Sequence, residues 1–145
     1  QQQAADEMIR VCRTGGRIGL ANWTPEGFIG QLFKTIGKHV PPPAGVSSPA
    51  LWGTRAHLEK LFGTKGSITA QSKNFVFRYE SPEHWLEIFK TYYGPVVKAF
   101  EALDAPAGAA LQADIEALLG KFNVADDGTL VIPGEYLEVV IARNG

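Results

Sequence analysis

The sequence predicts a mixed α/β fold, and three features of its 145 residues carry that expectation. Apolar residues recur at three- and four-residue spacing in several segments, the signature of amphipathic helices. Arg17-Ile-Gly-Leu-Ala-Asn22 is short, apolar and almost free of charge, as a strand buried on both faces of a parallel sheet would be. Two later stretches, ending at Tyr79 and Arg143, alternate with period two, as an antiparallel pair does. The expected order is α–β–α–loop–α–β–α–α–β.

Each element has its own signals. Ala5, Met8, Ile9 and Cys12 mark a first helix, stopped at Gly15-Gly16, where glycine accepts a left-handed C-cap. Thr24-Pro25-Glu26 offers a hydroxyl cap, proline at the first helical position and an acid in the first turn. The helix it opens carries Phe28, Leu32, Phe33 and Ile36 inward. Between Lys38 and Gly53, Pro41-Pro42-Pro43 and Ser47-Ser48-Pro49 predict a loop without regular structure, of a length typical of lids and binding loops. Thr54 is expected to cap a short helix ending at Gly63. A strand over 67–79 places Phe75, Phe77 and Tyr79 on one face. Ser81-Pro82-Glu83 repeats the capping pattern and opens a long aromatic helix, Trp85 to Phe100, kinked at Gly94-Pro95. A further helix spans about 107–122, Asp126-Asp127-Gly128 turns the chain, and a last strand runs from Glu135 to Arg143.

Composition narrows the function classes. With 45% hydrophobic residues and a net charge of −1, disorder is excluded. Fourteen Lys+Arg against fifteen Asp+Glu leave no basic field, so no nucleic-acid partner is expected. No apolar run approaches the ~18–20 residues that span a bilayer. The single cysteine, Cys12, excludes a disulfide framework and suits a reducing, cytoplasmic setting. Its helical position reads as core. The chain opens on Gln1-Gln2-Gln3 and enters a helical pattern at once, so it is expected to begin inside a larger fold.

Glu7-Met-Ile-Arg-Val-Cys-Arg-Thr-Gly-Gly-Arg-Ile-Gly-Leu-Ala-Asn-Trp-Thr24 resembles the helix, Arg-x-Gly-Gly turn and fifth strand of class I S-adenosylmethionine-dependent methyltransferases. The ubiquinone and menaquinone biosynthesis group is the most similar. Thr54-Arg-Ala-His-Leu-Glu-Lys-Leu-Phe-Gly63 resembles the helix before that family's sixth strand, and Tyr136-Leu-Glu-Val-Val-Ile-Ala-Arg143 its seventh. The resemblance implies the C-terminal part of a Rossmann-like sheet, α/β as a whole and α+β as a fragment. Residues 1–80 would be core, 81–128 a helical cap insertion and 129–145 the final core strand. It also implies that the cofactor, S-adenosylmethionine, is bound mainly by an upstream half. Gly15-Gly16-Arg17-Ile18-Gly19 is not the family's Gly-rich loop, because it precedes a strand, whereas a phosphate- or nucleotide-cradling loop follows one and opens a helix. No cofactor-binding residue is therefore expected in this chain, and alone it should bind S-adenosylmethionine weakly or not at all.

Ligands of open α/β sheets bind beyond the carboxyl ends of strands. Asn22, Trp23 and Thr24 occupy such an end and are pocket candidates, with Thr24 as a simple helix cap and Trp23 as packing the plainer readings. Phe28, His39 and Trp52 flank the proline loop, which would suit an apolar or aromatic acceptor. His39 is the one candidate base, weak without geometry; otherwise it is a solvated loop residue. His57 and His84, in first turns of helices, read as surface residues, and three such scattered histidines form no metal motif. Tyr92 or Tyr93 would reach the acceptor if the aromatic helix is a cap; otherwise the stripe is core. Asp126-Asp127 reads as a turn. The expected function is transfer of a methyl group to a small acceptor. The competing reading is a non-enzymatic α+β module that binds a hydrophobic ligand or dimerises. Either way an unpaired first strand predicts a homodimer or swapped assembly.

Overall fold

A computed structural model describes residues 1–145 as an α+β fold of one three-stranded antiparallel sheet and six α-helices. In chain order these are α1 (Gln2–Val11), β1 (Arg17–Trp23), α2 (Phe28–His39), α3 (Arg55–Phe62), β2 (Gly66–Tyr79), α4 (Pro82–Tyr92), α5 (Gly94–Glu101), α6 (Ala105–Phe122) and β3 (Leu130–Arg143). The sheet order is β1-β3-β2. The last strand inserts between the other two and runs antiparallel to both.

β1 is therefore an edge strand, not a strand buried on both faces of a parallel sheet. Its burial alternates: Ile18 and Leu20 turn toward α1 and α3, while Gly19 and Ala21 face solvent. The segment read as doubly buried because its outward residues are small and uncharged rather than apolar and large.

Alternation along β3 splits the interior in two. Val139 and Ile141 pack with Ala5 of α1 and Leu58, Leu61 and Phe62 of α3 on one face. Leu130 and Ile132 join Phe77, α2 and the helices α4 to α6 on the other. Trp85, Phe28, Leu111, Ile115 and Leu119 are fully enclosed there. The aromatic stripe is thus core at Trp85, Phe89 and Val96, the plainer of its two readings. Pro133 lies within β3 but beyond Tyr136, the last residue paired with β1, so β3 has a neighbour on one side only at that point.

Several boundaries differ from expectation for local reasons. The first helix ends at Val11 with Cys12 extended and half-buried, and Gly15 (φ 69°) takes its left-handed conformation in the turn to β1 rather than at the cap. α2 begins at Phe28 with Gly27 at its N-cap; Thr24 lies upstream, where its hydroxyl accepts the Gly27 N–H and donates to Glu135. The expected loop is shortened, since α2 runs through His39 and a short 3-10 helix covers Pro49–Gly53, capped by Ser48. Thr54 flanks α3, yet its hydroxyl donates back to the Leu51 carbonyl and caps nothing. Tyr93 is extended and separates α4 from α5, so the kinked helix is two helices. α6 starts at Ala105 because the Asp104 carboxylate accepts the Ala107 N–H, and β3 starts at Leu130, earlier than the alternation suggested.

Candidate functional site

The carboxyl end of β1 is held by three glycines. A Cβ on Gly53 would lie 2.0 Å from the Trp23 carbonyl oxygen, and one on Gly30 would lie 2.2 Å from that of Thr24. One on Gly27 would meet the Thr24 hydroxyl at 2.8 Å and the Glu135 carbonyl at 3.0 Å. The 3-10 helix and α2 thus press directly on the backbone of residues 23 and 24. Thr24 is buried and completes the knot: its N–H donates to the Glu135 carbonyl, its hydroxyl donates to Glu135 Oε1 at 2.8 Å, and it accepts from the Gly27 N–H. These bonds tie the end of β1 to β3 and to the entry of α2.

Next to this knot lies the largest cavity, about 640 Å³, between α2, the proline loop and the start of α5. Phe33 and Ile36 line it from α2, Val40 from just past its end, Pro42 and Val46 from the loop, and Pro95 from α5. Glu26 and Lys34 add exposed charges without ion-pair partners. The proline loop therefore does form a cavity wall. A mostly apolar cavity with a few polar groups is the usual form of a small-molecule site.

The residues singled out in the sequence do not line this cavity. Phe28 is wholly buried, 5.5 Å from the Trp85 ring and 5.7 Å from Phe77. Asn22 is half-buried, and its Nδ2 is buried without a partner, the one orphaned donor at this strand end. Trp23 lines a separate open pocket of about 340 Å³ with Ala21, Phe75 and Tyr136. There Trp23 meets Phe75 and Tyr136 edge to face at 6.4 and 6.1 Å. Trp52 packs on Phe62 and His57. Tyr92 is 78% exposed. Tyr93 packs on the core beside Phe89, and burial pushes its hydroxyl pKa up.

His39 is not a solvated loop residue. It ends α2, is 18% exposed, and its Nε2 lies 2.9 Å from Asp114 Oδ2 on α6. That bond, with the charge of Lys38 adding to it, holds the Asp114 carboxyl below the usual carboxylate range. His57 and His84 are likewise half-buried, each with one enclosed ring nitrogen that has no hydrogen bond. No three His, Cys, Asp or Glu side chains converge as a metal site would require.

Sequence reasoning named the proline loop, with Pro42, but not Val40, Val46 or Pro95, and it placed Phe33 and Ile36 on the apolar face of α2, where they pack against the core and line the cavity as well. The signal was present: residues 33, 36, 37 and 40 form a second helical stripe beside the core stripe 28, 32 and 35.

No family model matches the chain. It is similar to an uncharacterized protein of Mycobacterium tuberculosis strain H37Rv, 37% identical over 147 residues, covering 94% of this chain and 50% of that protein. A second uncharacterized protein of the same strain is 36% identical over 139 residues with the same coverage. An uncharacterized Mycobacterium bovis protein is also 37% identical over 147 residues. The chain spans about half the length of the curated relatives it matches.

Proposed function

We propose that this chain is the acceptor-side portion of an S-adenosylmethionine-dependent methyltransferase acting on a small apolar or aromatic molecule. One observation carries the reading. β1 and β2 run parallel to each other, joined through α2 and α3, with the outer edge of β1 open. A helical crossover between parallel strands is the unit of doubly wound sheets, whose ligands sit beyond the carboxyl ends of the strands. The proline-lined cavity and the orphaned Asn22 amide both lie by the carboxyl end of β1.

The residues present do not build a site for the cofactor. The N–H groups of Thr24 and Gly27 after β1 are already bonded within the knot. This chain's share of the work is to hold the acceptor in place, and alignment of reactants is a large part of what a displacement reaction needs. A second copy of the chain along the open edge of β1 belongs to the same proposal. The exposed aromatic pocket at Trp23 favours a second reading, a binding module for a hydrophobic ligand without catalysis.

Calorimetric titration separates the two. S-adenosylmethionine titrated into the 37%-identical M. tuberculosis relative should bind with micromolar affinity, and titrated into this chain should give no heat. Absence of binding by the relative removes the methyltransferase reading and leaves the binding module.

A further inference from the structure

We propose that His39 and Asp114 form a latch that fixes the last turn of α2 to the cap and so sets the width of the proline-lined cavity. The cavity has two independent walls. Ile36 of α2 and Val40 just after it lead into the proline loop on one side, and Pro95 of α5 stands on the other. Nothing covalent near the cavity joins them, since more than fifty residues separate Val40 from Pro95.

The apolar packing of α2 on the cap is uneven along the helix. Phe28, Ile29, Leu32 and Thr35 are buried, whereas no residue after Thr35 is. In and just after the final turn, from which Pro41-Pro42-Pro43 departs, only the partly buried Ile36 and Val40 pack on the core, so polar contacts weigh more there. His39 supplies one, at 2.9 Å from Asp114. It is the only ion pair between sequence-distant residues that reaches the helices α4 to α6; the other two distant pairs, Lys65–Asp6 and Lys73–Glu138, lie outside the cap. The next polar tie of α6 to the sheet is beyond its far end, where the Asn123 side chain bonds Thr129 and Val131. The His39 ring donates to Asp114 through Nε2–H in its charged form and in its neutral Nε2–H tautomer, the one a carboxylate partner selects, so the latch does not require a charged ring. A side-chain bond across two helices fixes their relative position more sharply than apolar contact, which is non-directional. The latch goes beyond the reading above and holds whatever the cavity binds.

Amide hydrogen exchange on the full chain tests it, with His39→Leu, Asp114→Ala, the double variant and His39→Gln, which keeps a donor. Either single loss should speed exchange over Gly37–Val40 by about threefold to tenfold, the effect of one partly exposed charge-assisted bond. The double variant should match the singles, His39→Gln should recover part of the protection, and the Leu32 and Ile115 amides should keep their rates. Unchanged exchange over Gly37–Val40 overturns the latch. So does a rise shared equally by Leu32 and Ile115, or additive effects in the double variant.

Discussion

At the scale of single residues, close backbone approach decides more than side-chain chemistry does. Gly53 is the sharpest case, because the atom a methyl group would meet is the Trp23 carbonyl oxygen at 2.0 Å, part of a paired strand end that cannot swing aside. Gly53→Ala is expected to lower stability by about 2–3 kcal/mol, the upper range for overpacking a rigid contact. Gly120→Ala is the control: nothing lies within 4 Å of its Cβ position in the last turn of α6. That change should raise stability by ~0.5–1 kcal/mol through helix propensity. Urea unfolding of the two variants checks both signs, and equal effects would refute the contact argument. Neither distance is legible in the sequence, where Gly53 reads as one of many turn glycines. His39 shows the same limit: its position near the proline loop was readable, but its partner lies 75 residues away.

At the scale of elements, one pair of tripeptides shows where local grammar holds and where it fails. Ser81-Pro82-Glu83 behaves as written: the Ser81 hydroxyl accepts the His84 N–H at 3.2 Å, and Pro82 opens α4. Thr24-Pro25-Glu26 has the same grammar, and the Thr24 hydroxyl likewise accepts the N–H three residues on, at Gly27, yet the helix starts only at Phe28; the same hydroxyl also donates to Glu135, 111 residues away. Periodicity made five helices legible, and the fourth of these is split by the extended Tyr93 into α4 and α5. Their ends were set by partners the local sequence does not display. Ser81→Ala should cost about 1 kcal/mol in thermal or urea unfolding. The Ser81 side chain also leads the contacts that hold the Glu83 carboxyl below its ordinary value, so the variant should move the Glu83 titration upward by NMR. A carboxyl depressed in the folded state adds stability above its unfolded pKa and loses it as pH falls through the folded one. The difference between wild type and variant should therefore narrow in acid, below about pH 4. A constant gap across that window would assign the whole effect to the cap.

At the scale of the molecule, the sheet order is what local patterns could not supply. Alternation identified β2 and β3 as strands, but nothing in it places the last strand between the other two. That insertion leaves two edges of unlike character. β2 carries Lys73 and Arg78 along its length, charges that discourage pairing with another chain. β1 carries only Arg17, at its start, and presents the small, solvent-facing Gly19 and Ala21. A second copy could approach such an edge without steric conflict, and antiparallel pairing of two β1 strands about Leu20 would satisfy the free backbone groups of both. Light scattering at micromolar concentration should then give twice the 15.7 kDa chain mass. Ala21→Lys places a charge on that edge without touching either core, so it should shift the protein toward monomer while leaving its circular dichroism unchanged. A wild-type monomer at all concentrations rules out pairing through β1. A dimer untouched by Ala21→Lys places the interface away from both the β1 edge and the aromatic pocket that Ala21 shares with Trp23, Phe75 and Tyr136.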